Sequence, residues 1–495
     1  MSLLIFITIS IILNFIYCDK LIFVSTHFRH GARAPMKVDS EYLDHAKEKW
    51  TNPGELTAIG QRMHYILGLR NRMRYITDTY HFLSEKFDSH EILIYSSAFN
   101  RTIVSAYAQL QGLYPEDEKL GLTLTESQEK FAVPDLKCDY LPIKEKIDKI
   151  KEYAMPNSMT LIPVRMINNN EKKITLYDIG ECEKVRDEIK KKNRENLPIM
   201  IKMQKEFNEN YGKILNDFYG EEKIYDYIFM NRLCDAVISS LIEGRNLTEF
   251  KKTGIDCDKM KVYCHEIQKM NYQEHILGDD EHILAYLEAS KLMREIIHYM
   301  KKRIDIDITQ EKIEEEYLDY SRPKMVMISG HESTISCHQM FIINCLGFSD
   351  DYFRGAKYGA QLALEVTRRD STLEEIKKMT YKDYILNYYF NDELLFNITV
   401  DEFIKKIEPK LWTDEHINDF CGFSNSNNDQ KDDKKGNKLN SIELMILTIL
   451  FALFIIFLTT TIVLCVKISK KKKETRESLT QISMSDKKYV NYCKQ

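Results

Sequence analysis

The chain has 495 residues, of which 44% are hydrophobic and 29% charged, the balance of a globular protein and not of a disordered or collagen-like one. Its 70 basic and 75 acidic side chains leave a formal charge of −5, which excludes an overall basic field and, with it, nucleic acid as the expected partner. Gly (18) and Pro (10) are both scarce, so those that stand inside a motif carry weight.

In chain order, residues 1–18 read as a secretory signal peptide. Leu3 to Tyr17 is almost wholly apolar, too short to cross a bilayer comfortably, and polar Asp19 and Lys20 follow it. Lys20 to Ser25 is a short apolar run leading into the polar stretch His27 to Pro35. Thr57 to Tyr75 reads as a helix started by Thr57, with Ile59, Met63, Ile66 and Leu67 marking its buried face. Glu91 to Tyr95 is a second apolar run, leading into Ser96, Ser97 and Arg101, after which Val104, Tyr107 and Leu110 recur at helical spacing. From about 140 to 310 the chain holds charged, helix-favouring segments, Glu281 to Arg303 among them, and reads as a largely helical insertion. Lys324 to Ile328 is a third apolar run, followed by Ser329-Gly330-His331-Glu332 and a mostly apolar helix through Ile335, Met340, Ile343 and Leu346.

Three times, then, a buried strand gives way to a polar turn and a helix. That alternation predicts an α/β fold, a three-layer sandwich with a mostly parallel central sheet and the smaller helical insertion beside it. Ligands of such sheets bind beyond the carboxyl ends of the strands, where all three polar turns fall. Residues 19–424 form this ectodomain, and 425–441, rich in Asn, Asp, Lys and Ser, read as a stalk. Residues 442–466 read as a single transmembrane helix, since the 23 residues from Leu444 to Val466 carry no charge and suffice to cross about 30 Å of hydrocarbon. The lysine cluster that follows places the tail, 467–495, in the cytosol. That tail carries nine basic and three acidic residues, so +6 sits on one side of the span and −11 on the other. An anionic ligand of the ectodomain therefore needs a local basic cluster to hold it.

Of the 11 cysteines, eight lie in the ectodomain, where an oxidising compartment would allow up to four disulfides. Cys257 and Cys264 are close enough in sequence to close a short local loop, whereas Cys337 and Cys345 lie on one predicted helix, about 12 Å apart and out of reach of each other. Asn246-Leu-Thr and Asn397-Ile-Thr fit the pattern of glycosylation sites.

The chemistry concentrates in the turns. Arg29-His30-Gly31-Ala32-Arg33-Ala34-Pro35 sets two arginines around a histidine, and guanidinium forks match the oxygens of a phosphomonoester better than lysines do. Gly31 would let the backbone approach the anion and Pro35 would stiffen the exit. A neutral His30 could attack phosphorus, Arg101 could add positive charge on the equatorial oxygens, and His331 with Glu332 could supply the acid that protonates the leaving alkoxide. His331-Glu332 does not begin an HExxH motif, because Ile335 and Ser336 follow, so no metal or other cofactor is expected.

On these residues the chain resembles the histidine acid phosphatases, a branch of the histidine phosphatase superfamily with RHGxRxP near the mature N-terminus and a later His-Asp or His-Ala-Glu motif. The resemblance runs through Val24 to Pro35, Gly54 to Gly60, Leu69 to Tyr75, Ser96 to Pro115, Ile162 to Val164, Leu292 to Met300 and Met327 to Ile335. It implies that His30 is the nucleophile, that Arg29, Arg33 and Arg101 clamp phosphate, that His331 is the second, phosphate-contacting histidine, and that Glu332 stands where the proton donor is usually aspartate. It also implies a long-range disulfide between Cys182 and Cys421, and a partner for Cys234 near position 361, where this chain has Gln361. Arg165 stands where the family often has His, on the expected rim of the site. The implied protein is a membrane-anchored, lysosomal-type acid phosphatase for small phosphomonoesters, facing the lumen of an acidic compartment or the cell exterior, with a homodimer left open. Hydrolysis of phytate or other inositol polyphosphates is the alternative substrate reading. An inactive phosphatase fold serving as a surface receptor is the alternative of another class.

Overall fold

The computed structural model describes residues 19–36, 50, 52–129, 132, 149–150, 152–167, 182, 184, 198–245, 251–252, 254–270, 283–310 and 322–422. The expected signal peptide, stalk, transmembrane helix and tail, and Asn246, lie outside the described residues. No helix among the described residues is long and apolar enough to cross a membrane.

Seven strands form one sheet: β1 (Lys20–Arg29), β2 (Ile92–Ser97), β3 (Arg165–Ile167), β4 (Met325–Gly330), β5 (Gln361–Arg368), β6 (Tyr384–Phe390) and β7 (Glu393–Thr399), in the order β3-β2-β4-β1-β5-β6-β7. The first four are mutually parallel, but β5, β6 and β7 pair antiparallel, so the sheet is mixed and not mostly parallel. The cause is local. Asn391 and Asp392 both take positive φ (46° and 72°) and close a two-residue hairpin between β6 and β7, where no crossover helix is needed.

Alternating side chains of the central strands feed two cores. Met325 and Met327 of β4 join Val24, Phe28 and Ile94 on one face, and Val326 and Ile328 join Phe23 and Leu93 on the other. Helices α1 (Ala58–Arg72) and α2 (Asn100–Leu113) lie on the first face. The second face carries the long helix 283–309 and the helix that opens at Glu332, which gives the three layers.

The buried faces of α1 and α2 differ from the apolar reading. Ile66 (56% exposed), Val104 and Tyr107 face outward, while Gly60, His64, Gly68 and Asn71 of α1 and Ser105, Gln109 and Gly112 of α2 are buried. The two helices approach so closely that a Cβ on Gly68 or Gly112 would strike the backbone of the other helix, and polar side chains fill the seam. His64 contacts the Gln109 Oε1 at 3.2 Å, and Gln109 and Asn71 both donate to Gln361 Oε1, at 3.1 and 3.0 Å.

In the predicted insertion, helices α3 (Pro198–Phe207), α4 (Lys213–Tyr219), α5 (Tyr227–Ile242) and α6 (Cys257–Met270) build a separate core that includes Phe207, Leu233, Val237 and Ile267. The insertion is narrower than expected, because helix α7 (Ile283–Thr309) buries Leu292, Ile296 and Met300 in the core of the main sheet. Asp307 at its end pairs with buried Arg368 of β5 at 2.6 Å. Cys182 and Cys421 are joined by a disulfide. The expected Cys257–Cys264 loop is not formed: both residues lie on α6, two turns apart at about 10 Å, and Cys264 bonds Cys234 of α5 instead. That bond answers the question left by Gln361, whose side chain is committed to Asn71 and Gln109.

Candidate active site

Strand β1 is buried from Leu21 onward and carries Arg29 into the centre of the sheet. Its pairing with β4 continues to the last residue, Arg29 opposite Gly330, and His30 N then donates to Gly330 O at 3.0 Å. The strands therefore extend further into the motifs than their apolar cores suggested, and this register brings together side chains some 300 positions apart. β2 pairs with β4 on the other side, which sets Ser97 beside His331. Helix α2 then begins at Asn100 with Arg101 in its first turn, and helix α8 (Glu332–Leu346) begins one residue after β4 and His331.

Gly31 is required for packing. A Cβ there would strike the backbone of Gly60, and one on Gly60 would strike the carbonyl of Ala32, so the motif turn lies flat against the first turn of α1. Gly31 N donates to Ser105 Oγ at 3.1 Å, and Thr57 N donates to Ala32 O at 3.0 Å. Arg29 O meets His64 Nε2 at 3.1 Å. The backbone that presents the motif is thus held from α1 and α2 at once.

His30 is 3% exposed, with Nδ1 2.9 Å from Gly31 O. A carbonyl only accepts, so Nδ1 bears the proton and Nε2 keeps its lone pair. Burial, then the charges of Arg29 and Arg33, hold the ring well below the usual histidine range, so it stays neutral in acid. His331 is its neighbour, with ring centroids 5.6 Å apart. Its Nε2 lies 3.0 Å from Ser97 Oγ and its Nδ1 3.5 Å from Arg101 Nη2, and burial followed by Arg101 pulls its pKa down to about 3.

The three arginines converge on this pair. Arg29 gives Nη1 to Ala356 O at 2.6 Å and Nη2 to Glu332 Oε2 at 2.9 Å, and its guanidinium lies 4.4 Å from the ring of Tyr358. Arg33 places both terminal nitrogens on Asp235, at 3.0 and 3.2 Å. Arg101 lies over Phe99 at 4.6 Å, and burial and its proximity to Arg33 lower its pKa to about 10. In all three, the Nε–H is buried without a protein partner. Three such donors around one neutral imidazole suit a tetrahedral oxyanion. Glu332, with its side chain 14% exposed, has its pKa raised by burial against the lowering effect of Arg29 and Arg33.

All six residues singled out from the motifs are thus brought to one place. Arg165 is not among them: it lies exposed on edge strand β3 opposite Tyr95. Sequence reasoning missed Tyr358, which has no local motif, and Asp235, which stands on α5. A signal for Asp235 existed in the spacing Asp235, Ser239, Glu243, a polar stripe with helical period that runs along a mostly apolar helix to its C-terminal cap. Among the described residues no group of three or more His, Cys, Asp or Glu is placed to hold a metal ion.

Known proteins resemble the chain in sequence and in fold. A family model described as histidine phosphatase superfamily (branch 2) matches residues 20–382. Prostatic acid phosphatase of Homo sapiens is 23% identical over 334 residues, 66% of this chain and 70% of that protein. Lysosomal acid phosphatase of Xenopus laevis is 29% identical over 188 residues, 33% of this chain and 42% of that relative, so this match covers less than half of it. Among solved structures, the phytase from Citrobacter braakii aligns with a TM-score of 0.50 at 14% identity, over 80% of this chain and 99% of that one, a likeness of fold. The chain belongs to the histidine phosphatase superfamily, branch 2, a family of phosphomonoester hydrolases.

Proposed function

We propose that the protein is an acid phosphatase that hydrolyses phosphomonoesters through a phosphohistidine on His30. The observation that carries this reading is the neutral His30 ring, its Nδ1 tied to Gly31 O, inside three guanidinium groups with unpartnered Nε–H donors. Nε2 attacks phosphorus and the ester P–O bond breaks, with the electron pair leaving on the alcohol oxygen, which takes the proton of Glu332. Water then attacks the phosphohistidine, the P–N bond breaks, and the Glu332 carboxylate takes a proton from that water. Arg29, Arg33 and Arg101 neutralise the charge on the equatorial oxygens in both steps, and His331 closes the wall beside Arg101.

The same reading extends to the remainder of the chain: signal peptide 1–18, single span 442–466 and cytosolic tail 467–495, which anchor the site in a lumenal or extracellular face of a lysosome-like compartment or the cell surface. Asn397, exposed on β7, is available there to a glycan, and Asn246 is the second candidate. The test is hydrolysis of para-nitrophenyl phosphate by the full chain between pH 4 and 8. His30→Ala is expected to lose at least about a thousandfold in kcat/KM. A variant retaining most of its activity would sink the proposal.

A further inference from the structure

One face of helix α5 and its C-terminal cap carry Asp235, Ser239 and Glu243 four residues apart, so the three side chains stand in one line. The opposite face, with Met230, Leu233 and Val237, is buried in the insertion core. Each residue of the line reaches the active-site wall. Asp235 pairs with Arg33, and its Oδ2 also accepts from Met36 N at 2.9 Å. Ser239 Oγ lies 3.5 Å from the hydroxyl of Tyr358, the ring that stacks on Arg29. Glu243 accepts the hydroxyl hydrogen of Thr57, whose backbone N–H holds the carbonyl of Ala32 in the motif turn at 3.0 Å. Disulfide Cys234–Cys264 ties α5 to α6 at the residue next to Asp235, fixing the line in place.

The consequence is electrostatic. Arg33 has Asp235 on both of its terminal nitrogens, so one of the three clamp charges is matched by a carboxylate before any substrate enters, whereas Glu332 beside Arg29 carries its proton in the donor form and matches none. Glu55, bonded to Asn100 Nδ2 at 3.1 Å, lies within electrostatic reach of Arg101. The further basic groups on this side are exposed Lys357, next to Tyr358, and His265 and Lys261 of α6. The clamp thus keeps donors for one phosphate but little net positive charge for a second.

On the reading that the site is a phosphatase, we infer that the Asp235–Ser239–Glu243 line is its specificity element: it positions Arg33 and selects esters with one phosphate and a neutral or cationic alcohol over polyphosphorylated rings. Asp235 is a positioning residue for Arg33, and both carboxylates repel any further phosphate of the substrate.

The experiment compares the full chain with Asp235→Asn, Glu243→Gln and the double variant, isosteric changes that keep an acceptor on Arg33 and Thr57. Two ratios are read at low and at physiological ionic strength: kcat/KM for inositol hexakisphosphate over that for para-nitrophenyl phosphate, and the Kd of inositol hexakisphosphate over that of inorganic phosphate. Wild type is expected to favour para-nitrophenyl phosphate. Each single variant is expected to raise the relative use of the hexakisphosphate by about fivefold, the order of magnitude for removing one like charge near a partly solvated anion, with a smaller effect at higher salt. Asp235→Asn is also expected to lower kcat/KM for para-nitrophenyl phosphate as Arg33 loses its charged anchor. Ratios within about twofold of wild type in the double variant, or a wild type that prefers the hexakisphosphate, overturn the inference. Should wild type turn over neither ester, the phosphatase reading fails instead. The binding ratio then still decides, tighter hexakisphosphate binding in the double variant supporting the specificity role and an unchanged ratio refuting it.

Discussion

At the scale of single residues, the two carboxylates around Arg29 and Arg33 have different tasks. Glu332 is buried enough for its pKa to rise above the ordinary 4.5, so it keeps a donatable proton at a pH where a free glutamate has lost it. The alkaline limb of the activity profile should accordingly lie above pH 4.5 and belong to Glu332. Glu332→Gln is expected to slow esters of poorly leaving alkyl alcohols by about a hundredfold or more, and para-nitrophenyl phosphate far less. Equal losses on the two substrates would show that the acid is another group. The nucleophile does not limit the acid side in the same way, because burial and two arginines keep His30 neutral well below the usual histidine pKa. Arg101→Ala removes a donor that has no other buried partner through Nε. It should cost about 2 to 4 kcal/mol of transition-state binding, read as kcat/KM.

Elements set those residues in place, chiefly through the close fit of α1 to the motif turn. Gly60→Ala would push a methyl into the carbonyl of Ala32. The expected result is a destabilisation of about 1 to 3 kcal/mol in urea unfolding, with a loss of activity larger than the loss of folded protein. Wild-type activity and stability would show that the turn is not held from α1. Here the sequence and the structure part in an instructive way. The three strand-turn-helix units and the motif residues were legible because apolar runs and turn chemistry are local signals. The faces of α1 and α2 were not, because hydrophobic periodicity assumes an apolar seam, whereas this one is made of glycines, His64 and Gln109. β5 to β7 were also overlooked, although alternating burial in β6 and the Asn391-Asp392 turn carry a hairpin signal. Asp235 and Tyr358 join the site only through tertiary packing, from an inserted helix and from the loop before β5; the polar spacing in α5 marks Asp235 but does not say what it meets, and Tyr358 has no local pattern at all.

For the molecule as a whole, a group of buried histidines couples folding to pH. His27 and His338 meet at 2.6 Å between their Nδ1 atoms, and burial, with their proximity, keeps His27 well below the usual value. His30 is lowered likewise, and His64, His331 and His338 are lowered to about 4, 3 and 3. Each has a folded pKa below the unfolded 6.5, so the unfolded chain binds protons first on acidification, and stability is lost as pH falls below 6.5. Glu332 and Glu295 work in the opposite sense, two carboxyls against these five histidines. The melting temperature should therefore drop by several degrees between about pH 6.5 and 4.5, and saturating phosphate, whose charge favours protonated His30 and His331, should reduce the drop. A flat profile would mean that these histidines are not neutral in the folded state. The most direct measurement of the central claim is an acid-sensitive, base-stable phosphoenzyme trapped by rapid quenching of the full chain with phosphorus-labelled para-nitrophenyl phosphate. The account predicts label on His30, lost in His30→Ala and longer-lived in Glu332→Gln. Label on another residue, or turnover with no labelled protein in either enzyme, would contradict it.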